Sequence, residues 1–357
     1  MLKKVVLIFL ITFSFLIIIE IASGAYLFGK KIDCIYLKCN YKYSINIDFI
    51  EDKTKKINYS RDDFGFRGAR KDYQNIDFLV LGGSTTEEKF IDDNDTWTEK
   101  LEKKFIKDGN DIEIVNAGID GQSTLGHIYN FEKWFPYIEN LNPKFIIFYI
   151  GINEYRSDKF NIYDYKEKNN LFSKIKFYLK KNNGIFLNLY RKINLNKTKS
   201  DYIDIVNHNP NLKKSYFLKK IQKKKDIEEK FKKWVDQKFL NRLNLLTNFT
   251  KEIGAIPIFI SQKSIRWYQK NGEIYEIENT NILEDENVES YYLKEKKIDQ
   301  VIQDFTKKNN MYFISGFNEF SFEEIFFYDF VHTNTKGSEY ISEIVYPHLK
   351  KIYFENF

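Results

Sequence analysis

A serine follows two glycines at the end of a short apolar run. The run covers residues 78–81, and Gly82, Gly83 and Ser84 come next. Such glycines permit a tight turn from a strand into a helix, which places the serine at the helix N-terminus. Free backbone N–H groups and the helix dipole favour negative charge there. Ser84 is therefore a candidate nucleophile, although Gly-Gly-Ser-Thr is also typical of an ordinary helix cap.

Two further apolar runs end in residues that could bind a developing oxyanion. Residues 112–115 are followed by Asn116 and, five residues later, by Gly121. A glycine N–H can approach a reacting carbonyl closely because no side chain blocks it. Residues 145–150 are followed shortly by Asn153, whose amide donates a hydrogen bond without titrating. Taken singly, each of these ends also fits a simple turn.

An aspartate precedes a histidine by three residues near the C-terminus, at Asp329 and His332. At this spacing the carboxylate can hold the imidazole tautomer that leaves the other ring nitrogen free as a base. The chain has four histidines, and only His332 combines an acidic residue at this spacing with a loop-to-helix position. His332 is therefore the candidate base, and Asp329 is its candidate orienting partner.

The elements that would position these residues alternate along the chain. Short apolar runs predict strands, and longer stretches between several of them predict helices. The predicted strands are 78–81, 112–115, 145–150, 256–260 and 311–314, and the predicted helices are 96–106, 124–138 and 227–250. This pattern predicts an α/β fold with a parallel sheet covered on both faces, in which ligands bind at the strand ends.

The N-terminal segment is apolar. Lys3 and Lys4 precede the 24 residues from Val5 to Phe28, which are long enough to cross a hydrocarbon core of about 30 Å as a helix. The leading lysines predict an N-terminus inside the cell and a body outside. We favour an uncleaved signal anchor, and a cleaved signal peptide remains the alternative.

The sequence therefore divides into three parts. Residues 1–28 form the predicted anchor, 29–72 a tether and lead-in, and 73–357 the main domain, with a large insertion at about 155–235. The insertion either lies beside the site or is a solvated excursion. Cys34 and Cys39 would lie in an oxidising compartment, where a local disulfide and two free thiols fit equally well.

Composition excludes several classes of protein. The 56 Lys and Arg residues against 50 Asp and Glu residues give a net charge of only +6 in 357 residues, so we expect no nucleic-acid partner. The two cysteines exclude a four-cysteine zinc site, and we expect neither a metal nor a cofactor.

The four motifs in this order resemble the GDSL/SGNH hydrolase family from residue 78 to about residue 348. The resemblance implies a flavodoxin-like three-layer sandwich of the SGNH-hydrolase type, here preceded by one transmembrane helix. It also implies that Ser84 is the nucleophile and that Asp329 and His332 complete the catalytic triad. The implied oxyanion hole consists of the backbone N–H of Ser84, Gly121 and the amide of Asn153.

Two residues depart from the family's usual motifs. Gly83 stands where the first motif usually has aspartate, and Glu154 stands where the third has aspartate. Neither change removes a group with a direct chemical role. The resemblance implies a serine esterase that hydrolyses acyl esters, O-acetyl above all, of an envelope or extracellular glycan or lipid. The alternatives are an O-acyltransferase that acts on surface polysaccharide with the same triad, and a non-catalytic binding module.

Overall fold

The computed structural model describes residues 2–24, 39–47, 55–68, 73–154, 216–220, 229–270, 273–279 and 288–357, with residues 26, 37 and 50 and several residues between 171 and 189. The helices are α1 (Leu2–Ser23), α2 (Ser84–Glu87), α3 (Trp97–Lys107), α4 (Thr124–Lys133), α5 (Glu229–Trp234), α6 (Leu240–Glu252), α7 (Val288–Lys308), α8 (Gly316–Glu319) and α9 (Thr335–Asn356). The strands are β1 (Tyr41–Ile47), β2 (Lys55–Arg61), β3 (Phe78–Gly82), β4 (Ile114–Asn116), β5 (Phe145–Ile150), β6 (Tyr216–Lys220), β7 (Ile256–Ser261), β8 (Trp267–Lys270), β9 (Glu273–Asn279) and β10 (Tyr312–Ile314).

Five parallel strands form the central sheet, in the order β10-β7-β5-β3-β4. Counted along the chain, this is the 2-1-3-4-5 order of flavodoxin-like folds. The chain leaves β3 for β4 on one side and then returns to β5 on the other. The direction of winding therefore switches at the carboxyl end of β3, where such folds bind their ligands. The predicted fold class is confirmed.

Helices cover both faces of this sheet. Because each face is buried, strands such as β3 and β5 are apolar at every position instead of alternating. One face packs on α4, α6 and α7 through Leu79, Leu81, Ile146, Phe148, Phe131, Leu243, Leu246, Ile302 and Phe305. The other face packs on α3 and α9 through Phe78, Val80, Phe145, Ile147, Trp97, Leu101, Phe105, Ile341, Val345 and Leu349.

The helix predicted over 124–138 ends early, at Lys133. A separate 3₁₀ turn, Phe135–Tyr137, follows it. Pro136 accounts for the break, because proline lacks an N–H and disfavours helical geometry in the residue before it. The helix predicted over 227–250 is also divided, into α5 and α6 around a π-helical turn, Val235–Phe239.

The second half of the predicted lead-in packs against the main domain. Strands β1 and β2 pair antiparallel, and Tyr41 lies opposite Arg61. The Ser60 backbone N–H and hydroxyl both donate to the Asp93 carboxylate. Beyond β2, the backbone of Arg67 pairs with that of Asn116, at the end of β4, in an isolated β-bridge. This part of the chain therefore reaches the end of the sheet that carries the predicted site.

The N-terminal helix is long and apolar enough to cross a membrane. Lys3–Ser23 has a mean hydropathy of 2.9, and none of it is buried in the protein. A signal sequence has the same length and composition, so the choice between anchor and cleaved peptide stays open. Cys34 and most of the predicted insertion at 155–235 lie outside the described residues, so the expectations about them remain expectations.

Candidate active site

The ends of three strands converge on Gly83. A Cβ atom at this position would lie 2.4 Å from Nδ2 of Asn153 and 3.1 Å from the carbonyl oxygen of Gln122. Any side chain would therefore push the first motif away from the second and third. A glycine in place of the family's usual aspartate suits this close approach.

Ser84 is the first residue of α2, directly after this contact. The helix has only four residues, so its dipole is small and its free N–H groups carry most of the electrostatic effect. Among the described residues, the backbone N–H groups of Ser84 and Gly121 donate to no protein acceptor. Both donors are therefore available to a bound group.

Ser84, His332 and Asp329 form a continuous chain of hydrogen bonds. The Ser84 Oγ lies 2.7 Å from Nε2 of His332, and Nδ1 of His332 lies 2.7 Å from Oδ2 of Asp329. The histidine side chain is 15% exposed and the aspartate side chain 9%, so the imidazole can still be reached from solvent. The arrangement allows a proton to move from the serine to the histidine.

Backbone groups hold the Asp329 carboxylate in place. Its Oδ1 accepts hydrogen bonds from the N–H groups of Val331, at 2.8 Å, and His332, at 2.6 Å. Two residues further on, the Asn334 side chain caps the N-terminus of α9 by accepting from Lys336 and Gly337. In the pattern Asp-x-x-His-x-Asn, the aspartate therefore holds the loop by accepting from its backbone, and the asparagine caps the N-terminus of α9.

The surroundings of His332 favour its protonated form. Burial alone would lower the pKa of the imidazole, but the Asp329 carboxylate outweighs burial, with a smaller contribution from Asp120, and the net pKa is raised. The ring also stacks on Tyr328, with centroids 5.7 Å apart and planes 12° from parallel. A base that accepts a proton during a reaction needs such stabilisation of its charged form.

The predicted oxyanion-hole residues lie beside Ser84 on two loops. Gly121 has φ 70° at the third position of a turn closed by the Gln122 N–H and the Ile119 carbonyl, a backbone conformation that favours glycine. The Asn153 amide donates to the Gln122 carbonyl at 2.8 Å. Because an amide nitrogen carries two hydrogens, the second one remains to bind an oxyanion.

The Gln122 side chain connects this turn to α4. Its amide exchanges hydrogen bonds with Asn130, and its Oε1 lies 3.1 Å from Nδ1 of His127. Burial lowers the pKa of His127 to about 3, so this imidazole is neutral near pH 7. His127 therefore supports the turn and does not act as an acid or base.

Sequence reasoning missed Glu87, three residues after Ser84. Its carboxylate accepts hydrogen bonds from the Tyr59 hydroxyl and the Asp120 N–H, each at 2.5 Å, and lies 3.0 Å from the Arg61 guanidinium. Burial would raise the pKa of this carboxyl, but Arg61 and the hydrogen bonds lower it to about 2. Glu87 therefore stays ionised and holds the peptide next to Gly121.

Arg61 holds the same loop from the lead-in side. Its guanidinium donates to the Gly118 carbonyl at 2.7 Å and the Gly65 carbonyl at 2.6 Å. Arg67 donates to the Glu87 carbonyl at 3.0 Å. Both arginines are almost fully buried. The signal in the sequence is a pair of arginines on either side of a turn with one glycine and two phenylalanines, which suits burial more than solvation.

Glu88 was missed as well. It adopts a left-handed backbone conformation, with φ 49°, and its carboxyl contacts the start of α3, the last motif and α9. It accepts from the Trp97 N–H at 2.6 Å, and the hydroxyls of Ser338 and Thr333 donate to it at 2.5 and 3.4 Å. Burial raises its pKa to about 7. Glu88 therefore joins the turn that carries Ser84 to the segment that carries His332.

Glu154, the second departure from the family's usual motifs, follows β5 and is buried against the N-terminus of α4. Its carboxylate accepts from the Thr124 N–H at 2.6 Å and the Thr124 hydroxyl at 3.0 Å, and Arg242 lies 3.6 Å away. The longer side chain thus caps α4 while Asn153 points toward Gln122.

The protein was compared with known families and structures. No family model matches the sequence, and no curated protein matches it. The chain resembles solved GDSL hydrolases. Esterase EstA from Pseudoalteromonas sp. is 12% identical with a TM-score of 0.39, over 77% of this chain and 96% of that chain. A member of the lipolytic G-D-S-L family from Veillonella parvula is 12% identical with a TM-score of 0.41, over 76% of this chain and 96% of that chain.

An acetyl xylan esterase is also similar, at 11% identity and a TM-score of 0.43, over 76% of this chain and 99% of that chain. Because identities and scores are low, the functional proposal depends on the geometry of the site.

Proposed function

We propose that this protein is a serine esterase of the GDSL/SGNH type that forms an acyl-serine intermediate. The observation that carries the proposal is the chain of two 2.7 Å contacts joining Ser84, His332 and Asp329. Ser84 lies far from Asp329 and His332 along the sequence, yet the three side chains meet. Each has the chemistry that its position in a triad requires. A purely structural serine would not need a base oriented in this way.

The proposed reaction begins when Ser84 Oγ attacks the ester carbonyl and its proton moves to Nε2 of His332. Asp329 stabilises the resulting imidazolium. The tetrahedral oxyanion accepts hydrogen bonds from the N–H groups of Ser84 and Gly121 and from the Asn153 amide. Collapse breaks the ester C–O bond, and His332 gives its proton to the leaving alcohol.

Water completes the cycle. His332 removes a proton from the water as its oxygen attacks the acyl-serine carbonyl, and returns that proton to Ser84 Oγ when the acid leaves. We infer that the substrate is an acyl ester, O-acetyl above all, of an envelope or extracellular glycan or lipid. The apolar N-terminal helix supports a membrane-anchored, extracytoplasmic position for such an enzyme.

The test is hydrolysis of p-nitrophenyl acetate by the full-length chain in detergent. Ser84→Ala and His332→Ala should each reduce turnover to near background, because a triad acts as a unit. Ser321→Ala, on the exposed Ser321, and His348→Ala, on the half-exposed His348, serve as matched controls and should retain the parent rate. Turnover by folded Ser84→Ala at the parent rate would refute the serine mechanism.

The oxyanion hole is tested separately. Asn153→Ala should lower kcat by about 10²–10³, the usual effect of losing one donor. A fluorophosphonate probe should label Ser84 in this variant, since the nucleophile and base are intact. If the acyl group is transferred to an added sugar faster than to water, the protein is an acyltransferase and not an esterase. A folded parent that neither hydrolyses esters nor takes the label would favour the non-catalytic binding module.

A further inference from the structure

The described residues between 171 and 189 expose a set of large apolar side chains. Leu171 is 70% exposed and Phe172 is 82% exposed. The exposed members are Leu171, Phe172, Ile175, Tyr178, Leu179, Ile185, Phe186 and Leu189, and all are helical. A set of exposed apolar side chains of this kind marks an interaction surface.

This segment is attached to the end of α1. The Glu20 carboxylate accepts hydrogen bonds from the backbone N–H of Gly184, at 2.7 Å, and of Phe186, at 2.8 Å. The Ser23 hydroxyl accepts from the N–H of Ile185 at 3.1 Å. The only acidic residue of α1 is therefore occupied by backbone donors of the exposed segment.

Gly184 makes the contact with α1 close. A Cβ atom there would lie 2.3 Å from the Glu20 carbonyl oxygen and 2.4 Å from the Ser23 hydroxyl. Small residues permit this kind of backbone approach between helices in membranes. Nearby, the Tyr178 hydroxyl donates to the Tyr26 carbonyl at 2.7 Å. Tyrosines are typical of the layer where the bilayer meets water.

We propose that the described residues between 171 and 189 lie in the bilayer interface beside the outer end of α1, with their apolar side chains among the lipids. Their position next to a helix apolar enough to cross a membrane favours lipid over a protein partner. Exposed apolar side chains bind a membrane surface by inserting into the boundary between headgroups and acyl chains. The proposal goes beyond the esterase chemistry and depends only on α1 remaining attached.

The test measures the environment of Leu171 in the full-length chain. Leu171→Cys, in a background with Cys34 and Cys39 changed to serine, is labelled with an NBD fluorophore and reconstituted into phosphatidylcholine vesicles. We expect a blue-shifted emission that is quenched by lipids with a doxyl group near the headgroup. Ile106→Cys, on the 52% exposed Ile106 of α3, is the matched control and should be quenched by aqueous iodide only.

Two results would overturn the proposal. The first is quenching of the label at position 171 by iodide and not by doxyl lipid, as in the control. The second is shielding of this label from both quenchers, which would mean that a second protein copy covers it. Circular dichroism checks the fold independently of esterase activity, so failure here is distinct from failure of the catalytic proposal.

A second variant tests the attachment to α1. Gly184→Leu places a side chain where Glu20 and Ser23 now lie, so the doxyl quenching at position 171 should be lost while the protein remains folded. Unchanged quenching in folded Gly184→Leu would refute the role of α1 in placing the segment.

Discussion

Glu87 and Glu88, which follow Ser84 closely along the chain, differ in charge although both are buried. Glu87 is 7% exposed and Glu88 is 5% exposed. The pKa of Glu87 is lowered to about 2, and the pKa of Glu88 is raised to about 7. Burial raises the pKa of both, so burial does not explain the difference. Arg61 does, because its guanidinium lies 3.0 Å from Glu87 and stabilises that carboxylate.

The two residues also connect different parts of the site. Glu87 joins the lead-in strand β2 to the turn that carries Gly121, whereas Glu88 joins the Ser84 turn to the segment after His332. One connection is ionic and the other is made by hydrogen bonds to a carboxyl that titrates near neutral pH. The comparison predicts opposite responses to neutralising substitutions and to pH.

The largest effect is expected from Glu87→Gln. Removing this charge leaves the buried Arg61 without its carboxylate, which should lower the free energy of unfolding by about 3–5 kcal/mol. Urea unfolding at pH 7 measures this. Glu339→Gln, which removes a half-exposed partner of Lys100 and Lys104, is the matched control and should cost less than about 1 kcal/mol. Equal losses in the two variants would contradict the importance of burial.

Glu88 should make the stability fall as pH rises. Its folded pKa of about 7 exceeds the ordinary value of 4.5, so the folded state binds the extra proton between these pH values. Its stabilising contribution is complete below about pH 4.5 and is lost as pH rises through 7, by about 3 kcal/mol in total. Glu88→Gln imitates the protonated carboxyl and should remove this pH dependence, as seen in urea unfolding at pH 5 and pH 8.

Glu87 should respond in the opposite sense. Its folded pKa lies below the ordinary value, so its contribution is present above about pH 4.5 and is lost as pH falls toward 2. If Glu88→Gln were as damaging at pH 8 as Glu87→Gln, Glu88 would be ionised and paired, and the contrast between the two glutamates would be wrong.

A smaller effect is expected on turnover from Arg61→Lys. Lysine keeps the charge but cannot span the Gly65 and Gly118 carbonyls and the Glu87 carboxylate at once, so the turn with Gly121 should shift. We expect kcat for p-nitrophenyl acetate to fall about tenfold with little change in KM, because an oxyanion donor acts in the transition state. An unchanged kcat in the folded variant would show that the lead-in does not position the site.

The smallest expected effect comes from Asp120→Asn. Asp120 and Asp329 both raise the pKa of His332. In the proposed mechanism the neutral imidazole is the base. Removing the Asp120 charge should therefore move the acidic limb of the kcat/KM profile to lower pH. Asp63→Asn, on the exposed Asp63, should leave the profile unchanged. A shift to higher pH would mean that Asp120 acts on the site in another way.

The fold and the order of the motifs were predictable from the sequence, because both depend on local patterns. Apolar runs locate buried parallel strands, and the glycines after them show where the backbone must turn or approach closely. Spacing and residue type made Ser84, Asp329 and His332 candidates, and the structure brings these three side chains together. The strand ends and the break at Pro136 differed from prediction by a few residues.

Glu87, Glu88 and Arg61 could not be found in this way. The sequence neighbours of Glu87 and Glu88 fit a solvated surface. The aromatic turn beside Arg61 suits burial but does not show its partner, because pairing depends on elements far away along the chain. Arg61 meets Glu87 only after β2 packs behind α2, and Glu88 meets Ser338 only after α9 has formed. Long-range packing of this kind has no local signal, so a lone sequence does not reveal it.

The distance along the chain between Ser84 and His332 has a consequence for biosynthesis. These two residues lie 248 positions apart. While the ribosome is still at work, Ser84 is therefore made long before His332. If the proposed mechanism holds, a nascent chain that has not yet reached His332 has no base beside Ser84 and should not react with a fluorophosphonate.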